Sequence, residues 1–394
     1  MTSAFLEAAA ALHPGLLIEG RLHPWAEFLP PGPDRQSAYL AAQEAADGPD
    51  GFRAELARFL EALFNDSPTV LVHTSGSTGK PKPFSAEKRR MAASARKTLA
   101  FLGVSPGERN LLAMPLGFIA GKMVVVRSIL GGLDLVVRTP SRNPFLSIRD
   151  DEPIGLCEVT PMQAIAILDD PASAKRFLKS RRIIIGGGAV DDALLSALQA
   201  AEGEVYSSYG MTETLSHIAL CRIAGGRAGN RAGHVSESGS YRPLPGVSVS
   251  LSPQGTLVID APDVAAHPLI TNDVAALLPD GGFRILGRLD NVINTGGIKV
   301  QAEVVEAKLA RIIPFPFAVS ARPSHTFGEE VVLLVEGDPA LLDRSAIRAA
   351  LGRYEKPRAV GRVDVIPRTA TGKYDRPAIR ALAARIPRKP GDLP

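Results

Sequence analysis

Cysteine is scarce in this chain. Cys157 and Cys221 are the two among 394 residues. Both sit in apolar surroundings without the spacing of metal ligands. That pattern argues against a disulfide framework or a zinc site, makes core thiols of both, and suits a reducing cytoplasm. Long apolar runs are also missing. No stretch reaches the roughly 18 residues a membrane span needs, so none is expected. The start, MTSAFLEAAAALHPGLL, lacks a basic opening and carries Glu7 within its apolar stretch, which speaks against a signal peptide. No internal repeat and no long disordered tract stands out. Neither sign of charge dominates. A net charge of +4 fits simple solubility, and fits equally the attraction of small polyanions such as nucleotides. Nucleic acid is not an expected partner.

A further absence concerns the segment LVHTSGSTGKPKPFSAEKRR at 71–90, where an apolar run leads into a loop of Thr, Ser, Gly and Lys. The nucleotide-triphosphatase P-loop reads G-x-x-x-x-G-K-[ST] and runs from a strand into a helix. Here Pro81 follows Gly79 and Lys80, and Thr74 stands where the first glycine belongs. Pro81 also removes a backbone N–H and biases Lys80 away from helical conformation. The loop is a phosphate loop of another kind.

What is present fills an ordinary globular composition, 45% apolar and 22% charged, with room for two or three domains. Residues 1–67 read as a short, mostly helical preface broken at LPPGPD. From 68 onward strands alternate with helices. Strands are expected at 68–72, 110–114, 133–137, 155–159, 181–188 and 204–210. Helices are expected at 85–102, around 119–131, from 161, and across 190–201. This predicts an α/β fold: a large N-terminal α/β domain with mostly parallel sheets. After Gly210 the pattern changes to hairpins at 247–259 and 275–286. Past GRLD at 287–290, about 100 residues form a small α+β domain. The expected division is 1–290 and 291–394, with a hinge at Asp290.

Five stretches carry candidate chemistry. In the first, Thr74, Ser75, Gly76, Ser77, Thr78, Gly79 and Lys80 combine glycines, hydroxyls and successive N–H groups suited to an anion nest; alone, such a run also makes a plain loop. In the second, Gly186, Gly187 and Gly188 end an Ile-rich strand, where a flat base can lie on the backbone; a tight turn explains a lone triplet as well. The third, YSSYGMTET, offers the Tyr209 ring, Gly210, Met211, the Thr212 hydroxyl and the Glu213 carboxylate, the last suited to a hard cation such as Mg²⁺. The fourth pairs Asp273 with Arg288, where an acid can accept hydrogen bonds from ribose hydroxyls or simply form a surface ion pair. The fifth, PRTATGKYDR, places Lys373 after Gly372 in a polar turn.

Taken together and in order, TSGSTGKPK, YGMTE, GRLDNVINTGGIKV and PRTATGK resemble the signatures of the adenylate-forming superfamily of acyl-CoA synthetases, adenylation domains and luciferases, over roughly 68–385. Within it the chain is most similar to short o-succinylbenzoate–CoA ligases carrying an IAGKM…R stretch like that from Ile119 to Arg127. The resemblance implies a large AMP-binding domain with a shortened N-terminus, a small mobile C-terminal lid domain, and ATP, Mg²⁺ and CoA as reactants. A carboxylate attacks the α-phosphate, giving acyl-adenylate and pyrophosphate, and a thiol then displaces AMP. By the same resemblance, Ser75 to Lys80 hold the triphosphate, with Thr212 near the α-phosphate and Glu213 on Mg²⁺. Gly186, Gly187, Gly188 and Tyr209 hold adenine, Asp273 and Arg288 hold ribose, and Lys373 bridges the carboxylate and the α-phosphate.

Two departures bear on the acid. The N-terminal region is shorter than usual, and Phe118 stands near the position where the family usually presents a histidine to the acyl pocket. Lys122 and Arg127 lie on or beside an apolar helix, where a charge needs a reason: at least one is a candidate for a second substrate carboxylate, and otherwise they are solvated or salt-bridged. Five residues apart, they point about 140° from each other. The basic run AKRFLKSRR at 174–182 reads as a solvated face or as a contact for CoA phosphates. The thiol is CoA or that of a separate carrier protein, since no Asp-Ser-Leu attachment tripeptide occurs here. From another class, a non-catalytic nucleotide sensor remains the alternative, opposed by the intact Thr212, Glu213 and Lys373. A homodimer is compatible with all of these readings.

Overall fold

The computed structural model describes residues 4–32, 35–73, 83–188, 190–225, 239–369 and 374–387. The chain divides into two compact units, Met1–Ser248 with Asp260–Leu269, and Val249–Ile259 with Ile270–Pro394.

The first unit is built on a nine-stranded sheet. Its middle runs Glu204–Met211, Arg182–Ile185, Leu156–Val159, Arg109–Leu112, Asp134–Val137 and Gly15–Ile18, each parallel to the next. Antiparallel strands close both edges: Ser216–Ala224 followed by Arg242–Pro243 on one side, Arg21–Pro24 on the other. The central strands Asp134–Val137 and Leu156–Val159 are buried at every position. A parallel sheet covered on both faces buries its strands in this way, here with Asp134 and Glu158 as the charged exceptions. On one face the core gathers Leu111, Val136, Cys157, Val159, Ile183, Ile185 and Val205 with Phe145 and Phe177. Both cysteines are buried thiols outside any disulfide, as the sequence suggested.

Helix Ile119–Gly131 is buried on almost all sides, the state expected of a helix that is apolar all round. It packs against helix Lys88–Leu102. Asn110 Nδ2 ties it to the sheet, donating to the Val124 carbonyl and to Ser128 Oγ.

Two features differ from the sequence reading. The preface is mostly helical, as expected, but it also holds a hairpin that was not: Gly15–Ile18 and Arg21–Pro24, whose turn residues, Glu19 and Gly20, both have positive φ (52° and 78°). That is the two-residue turn matched to strand twist. Gly15–Ile18 completes the sheet beside Asp134–Val137, and Glu19 Oε1 accepts from the Val137 N–H and from Arg138. The pairing is with a segment over a hundred residues away, which no local pattern reveals. Second, the helix expected from Ser85 begins at Lys88. Residues 83–87 instead form a strand paired antiparallel with Thr69–His73, His73 opposite Pro83. The phosphate-loop candidate therefore connects two antiparallel strands, unlike the strand-to-helix step of a P-loop.

The second unit carries two smaller sheets. One orders Ser248–Leu251, Thr256–Asp260, Leu269–Leu277 and Phe283–Arg288, covering both expected hairpin regions. The other is five-stranded, ordering Ile298–Gln301, Val292–Thr295, Gly328–Val335 and Phe317–Ser324, with Ala359–Arg362 parallel to Gly328–Val335. Val305 and Leu309 of helix Ala302–Leu309 share a core with Val319 and Leu333. Ile379 and Ala383 of helix Arg376–Ala384 pack with Ala318, Val332 and Leu334. Alternate residues of the same strands point to opposite faces, so a helix is needed on each.

Candidate active site

The carboxyl ends of the parallel strands bring the second and third motifs together. Gly186 follows Ile185, and its N–H donates to the Val159 carbonyl at 3.0 Å. Gly187 has φ +80°, with nothing within 4 Å of where a Cβ would stand. Gly188 lies against Pro161, the first residue of helix Pro161–Leu168. The neighbouring strand Glu204–Met211 runs on past Ile185, whose partner is Ser207, so 208–211 project beside the glycines. Ser208 Oγ donates to the Ile185 carbonyl. The half-buried Tyr209 ring lies 5.8 Å from that of Tyr241, and Tyr241 shares a hydrogen bond with Ser207 Oγ at 3.0 Å.

Beyond Tyr209 the chain turns sharply. Gly210 faces His217 and Met211 faces Ser216 across the antiparallel pair. A Cβ on Gly210 would stand 2.3 Å from the Ser216 carbonyl oxygen and 2.5 Å from His217 Cα. Only glycine permits that approach. Thr212–Thr214 form one 3-10 turn, closed by Leu215 at φ 61°. The Thr214 hydroxyl accepts from the Met211 N–H at 2.9 Å and reaches the Ser216 carbonyl at 2.7 Å. Thr214 is buried, Thr212 half-buried and Glu213 exposed. The turn thus pins its own base and leaves Glu213 exposed beside Thr212. An exposed carboxylate at a fixed turn is the oxygen donor a hard cation accepts.

Behind this turn lies a polar network that the sequence reading did not find. Arg127 is fully enclosed, with 0% of its surface exposed. Its Nη1 meets Glu158 Oε1 at 2.5 Å and its Nη2 donates to Ser216 Oγ at 2.6 Å. Ser216 Oγ contacts His217 Nδ1 at 3.3 Å, and His217 Nε2 lies 2.9 Å from Thr98 Oγ1. Burial, with Arg127 adding to it, holds His217 well below the ordinary imidazole range, so the ring is neutral. Burial pushes the Glu158 carboxyl up and Arg127 opposes it. A guanidinium cannot lose its proton in a protein, so Glu158 is the counterion that makes its burial tolerable. Glu158 was legible as a charge inside an apolar strand, and Arg127 as one inside an apolar helix, but not as partners.

Of the alternatives open for Lys122 and Arg127, the ion pair is the one Arg127 takes. Both terminal nitrogens of the Arg127 guanidinium are taken, by Glu158 and Ser216, while its buried Nε has no hydrogen-bond partner among the described residues. Lys122 is half-buried with Nζ 4.4 Å from the centroid of the Phe59 ring. Burial lowers its pKa while Glu55 opposes the shift. Phe118 precedes the helix, is 39% exposed, and bridges His73. The basic run 174–182 is largely ion-paired: Arg176 with Asp150 at 2.7 Å, Arg182 with Glu108 at 2.8 Å, Arg181 with Glu108 at 3.5 Å.

In the second unit Asp273 and Arg288 face each other across strands Leu269–Leu277 and Phe283–Arg288. Arg288 donates from Nη1 to Asp273 Oδ1 at 3.1 Å and from Nη2 to Asp290 Oδ2 at 3.0 Å. Asn272 Nδ2 also reaches Asp290 Oδ2. Thr74, Ser75, Gly76, Ser77, Thr78, Gly79, Lys80 and Lys373 lie outside the described residues.

The sequence model of the family described as AMP-binding enzyme matches residues 31–262, more than half of the chain. The protein belongs to the AMP-binding enzyme family. Its class is that of an AMP-forming acid–thiol ligase. The chain is 31% identical over 342 residues to a probable 2-succinylbenzoate–CoA ligase of Mycobacterium tuberculosis, covering 80% of this chain and 84% of that one. It is 28% identical over 357 residues to a 4-chlorobenzoate–CoA ligase of an Arthrobacter species, covering 81% and 67%. Among solved structures, an acyl-CoA synthetase (AMP-forming)/AMP-acid ligase II-like protein from Dyadobacter fermentans matches with a TM-score of 0.58 and 31% identity, covering 84% of this chain and 94% of that chain. An o-succinylbenzoate CoA synthetase from Bacillus subtilis, in complex with its acyl-adenylate intermediate, matches with a TM-score of 0.71 over 96% and 98% of the two chains. At 19% identity the latter shows the shared fold of the family.

Proposed function

We propose that this member of the AMP-binding enzyme family activates an aryl carboxylic acid as its acyl-adenylate and passes the acyl group to the thiol of CoA. The observation that carries the reading is the fixed turn that presents Thr212 and Glu213 beside the Gly186, Gly187 and Gly188 strand end. Adenine rests against those glycines and Tyr209, and the Thr212 hydroxyl takes an α-phosphate oxygen. Glu213 would hold the Mg²⁺ that accompanies ATP, an ion that would supply neutralisation of the phosphate charge. Asp273 and Arg288 take the ribose hydroxyls, and residues 75–80 take the β- and γ-phosphates. Lys373 bridges the attacking carboxylate and the α-phosphate. Catalysis of this step is positioning plus charge neutralisation in the transition state.

The aryl class is supported by the names of relatives, which act on 2-succinylbenzoate and 4-chlorobenzoate. The enclosure of Arg127 and the packing of Lys122 on Phe59 leave Phe118, exposed ahead of the same helix, as the acyl contact in this reading. Asp290 marks the joint about which residues 291–394 turn between half-reactions.

The test is a pyrophosphate-release screen across aryl, succinylbenzoyl and fatty acids, with and without CoA and with a phosphopantetheinylated carrier protein. Acid-dependent release with CoA-dependent thioester formation on an aryl acid supports the proposal. A thioester formed only on the carrier replaces CoA as the acceptor. Release no faster than background across the panel overturns it.

A further inference from the structure

Arg127, Ser216, His217 and Thr98 come from three separate elements: helix Ile119–Gly131, strand Ser216–Ala224 and helix Lys88–Leu102. Their hydrogen bonds run in one direction. Arg127 can only donate, so Ser216 Oγ accepts from Nη2 at 2.6 Å. With the single proton of Thr98 Oγ1 placed on the Ser94 carbonyl 3.3 Å away, Thr98 accepts across its 2.9 Å contact with His217, and Nε2 is the protonated ring nitrogen. A neutral imidazole has one donor and one acceptor. With Nε2 protonated, His217 Nδ1 is the acceptor, and the Ser216 hydroxyl, one of its two lone pairs taken by Arg127, donates its proton to it. The chain runs from guanidinium to Ser216, to His217, to Thr98, to the Ser94 carbonyl without a conflict.

This chain grips the residue that closes the active-site turn. The Ser216 carbonyl receives the Thr214 hydroxyl at 2.7 Å, and the same hydroxyl accepts the Met211 N–H at 2.9 Å. Between Met211 and Thr214 lie Thr212 and Glu213. Glu158 supplies the counter-charge at 2.5 Å that lets the guanidinium sit fully buried behind Ser216.

We infer that Arg127 is a positioning residue for adenylation: through Ser216, and with His217 and Thr98, it fixes the turn that carries Thr212 and Glu213. The inference rests on the roles proposed for those two residues. It assigns Arg127 to the transition state of the first half-reaction rather than to recognition of a second substrate carboxylate. The two roles separate kinetically. Loss of a substrate contact raises KM for the acid, whereas loss of positioning lowers kcat with KM retained.

The test is Ser216→Ala, which removes the hydroxyl and keeps the carbonyl that Thr214 needs. ATP–pyrophosphate exchange is expected to fall about tenfold in kcat, with KM for ATP and for the acid within about twofold and a cooperative thermal transition retained. Arg127→Met with Ser216→Ala should be no slower than Arg127→Met alone, as coupled sites are non-additive. Should Arg127→Met fail to fold, Thr98→Val probes the same chain from its far end and should lower kcat in the same sense. A folded Ser216→Ala enzyme with full kcat, or strictly additive losses, overturns the inference. A second readout needs no turnover. Nitrogen chemical shifts of His217 in the full-length protein should report a neutral ring protonated at Nε2 from about pH 5 to about pH 9. An Nδ1–H ring, or titration in that range, overturns the chain. A wild-type enzyme inactive with every acid defeats the proposed function, and the His217 signal then decides the chain by itself. An active wild type beside a fully active Ser216→Ala variant defeats the positioning role alone.

Discussion

Arg127 and Glu158 form a buried ion pair, Nη1 to Oε1 at 2.5 Å, between a helix apolar on almost every side and the central strand of the sheet. Removing one member of such a pair strands the other charge in the core. Glu158→Leu is expected to lose about 3–5 kcal/mol of unfolding free energy in a denaturant titration. Replacing both together, Arg127→Met with Glu158→Leu, should recover most of that loss, since two apolar groups need no counterion. A single variant as stable as the parent would show that the pair is not the electrostatic unit its geometry describes.

Lys373 and Glu213 are proposed to act in the same half-reaction, so their variants should share one signature. Lys373→Ala and Glu213→Gln are each expected to lower ATP–pyrophosphate exchange by about 10²-fold or more. Lys373→Ala should still convert a chemically prepared acyl-adenylate to the thioester. Near-normal exchange in the Lys373 variant would remove the lysine from the first step.

Asp290 accepts from Arg288 and Asn272 at the start of the proposed joint. Proline fixes φ and deletes a donor. Asp290→Pro is therefore expected to impair thioester formation more than adenylation, measured as CoA consumption against pyrophosphate exchange on the same preparation. Equal loss of both steps would argue against rotation about this residue.

Lys88 gives a pH dependence unrelated to catalysis. Its Nζ donates to the Asn65 carbonyl at 2.7 Å and to Asn65 Oδ1 at 2.9 Å, and burial lowers its pKa from 10.5 to about 8, with Asp66 opposing. Below about pH 8 the ammonium is charged in both folded and unfolded chains, and the folded state alone bears its desolvation. Between about pH 8 and about pH 10.5 the folded chain releases a proton that the unfolded chain keeps, so stability rises with pH through that window. Urea midpoints at about pH 7 and about pH 10 should show this rise in the parent relative to Lys88→Met. An identical pH response in the two proteins would count against it.

The sequence by itself determined the architecture of the centre of the first unit and the identity of the family. Short apolar stretches such as the III of 183–185 and the LVV of 135–137 mark the central strands, and helix 119–131 is apolar apart from Lys122, Arg127 and Ser128, so local composition suffices to place them. The motifs that mark AMP-binding enzymes are contiguous, and their chemistry reads from residue order. Only the tertiary structure decided the rest. The edge hairpin at 15–24 exists because Gly15–Ile18 finds Asp134–Val137. The strand at 83–87 exists because it pairs with Thr69–His73. Arg127 and Lys122 each read, from the sequence, as a charge in search of a partner. Which partner each takes, Glu158 and Ser216 for one and the Phe59 ring for the other, depends on contacts between residues far apart in the chain. Burial makes such contacts obligatory, because a charge taken from water must be met by whatever the fold brings to it.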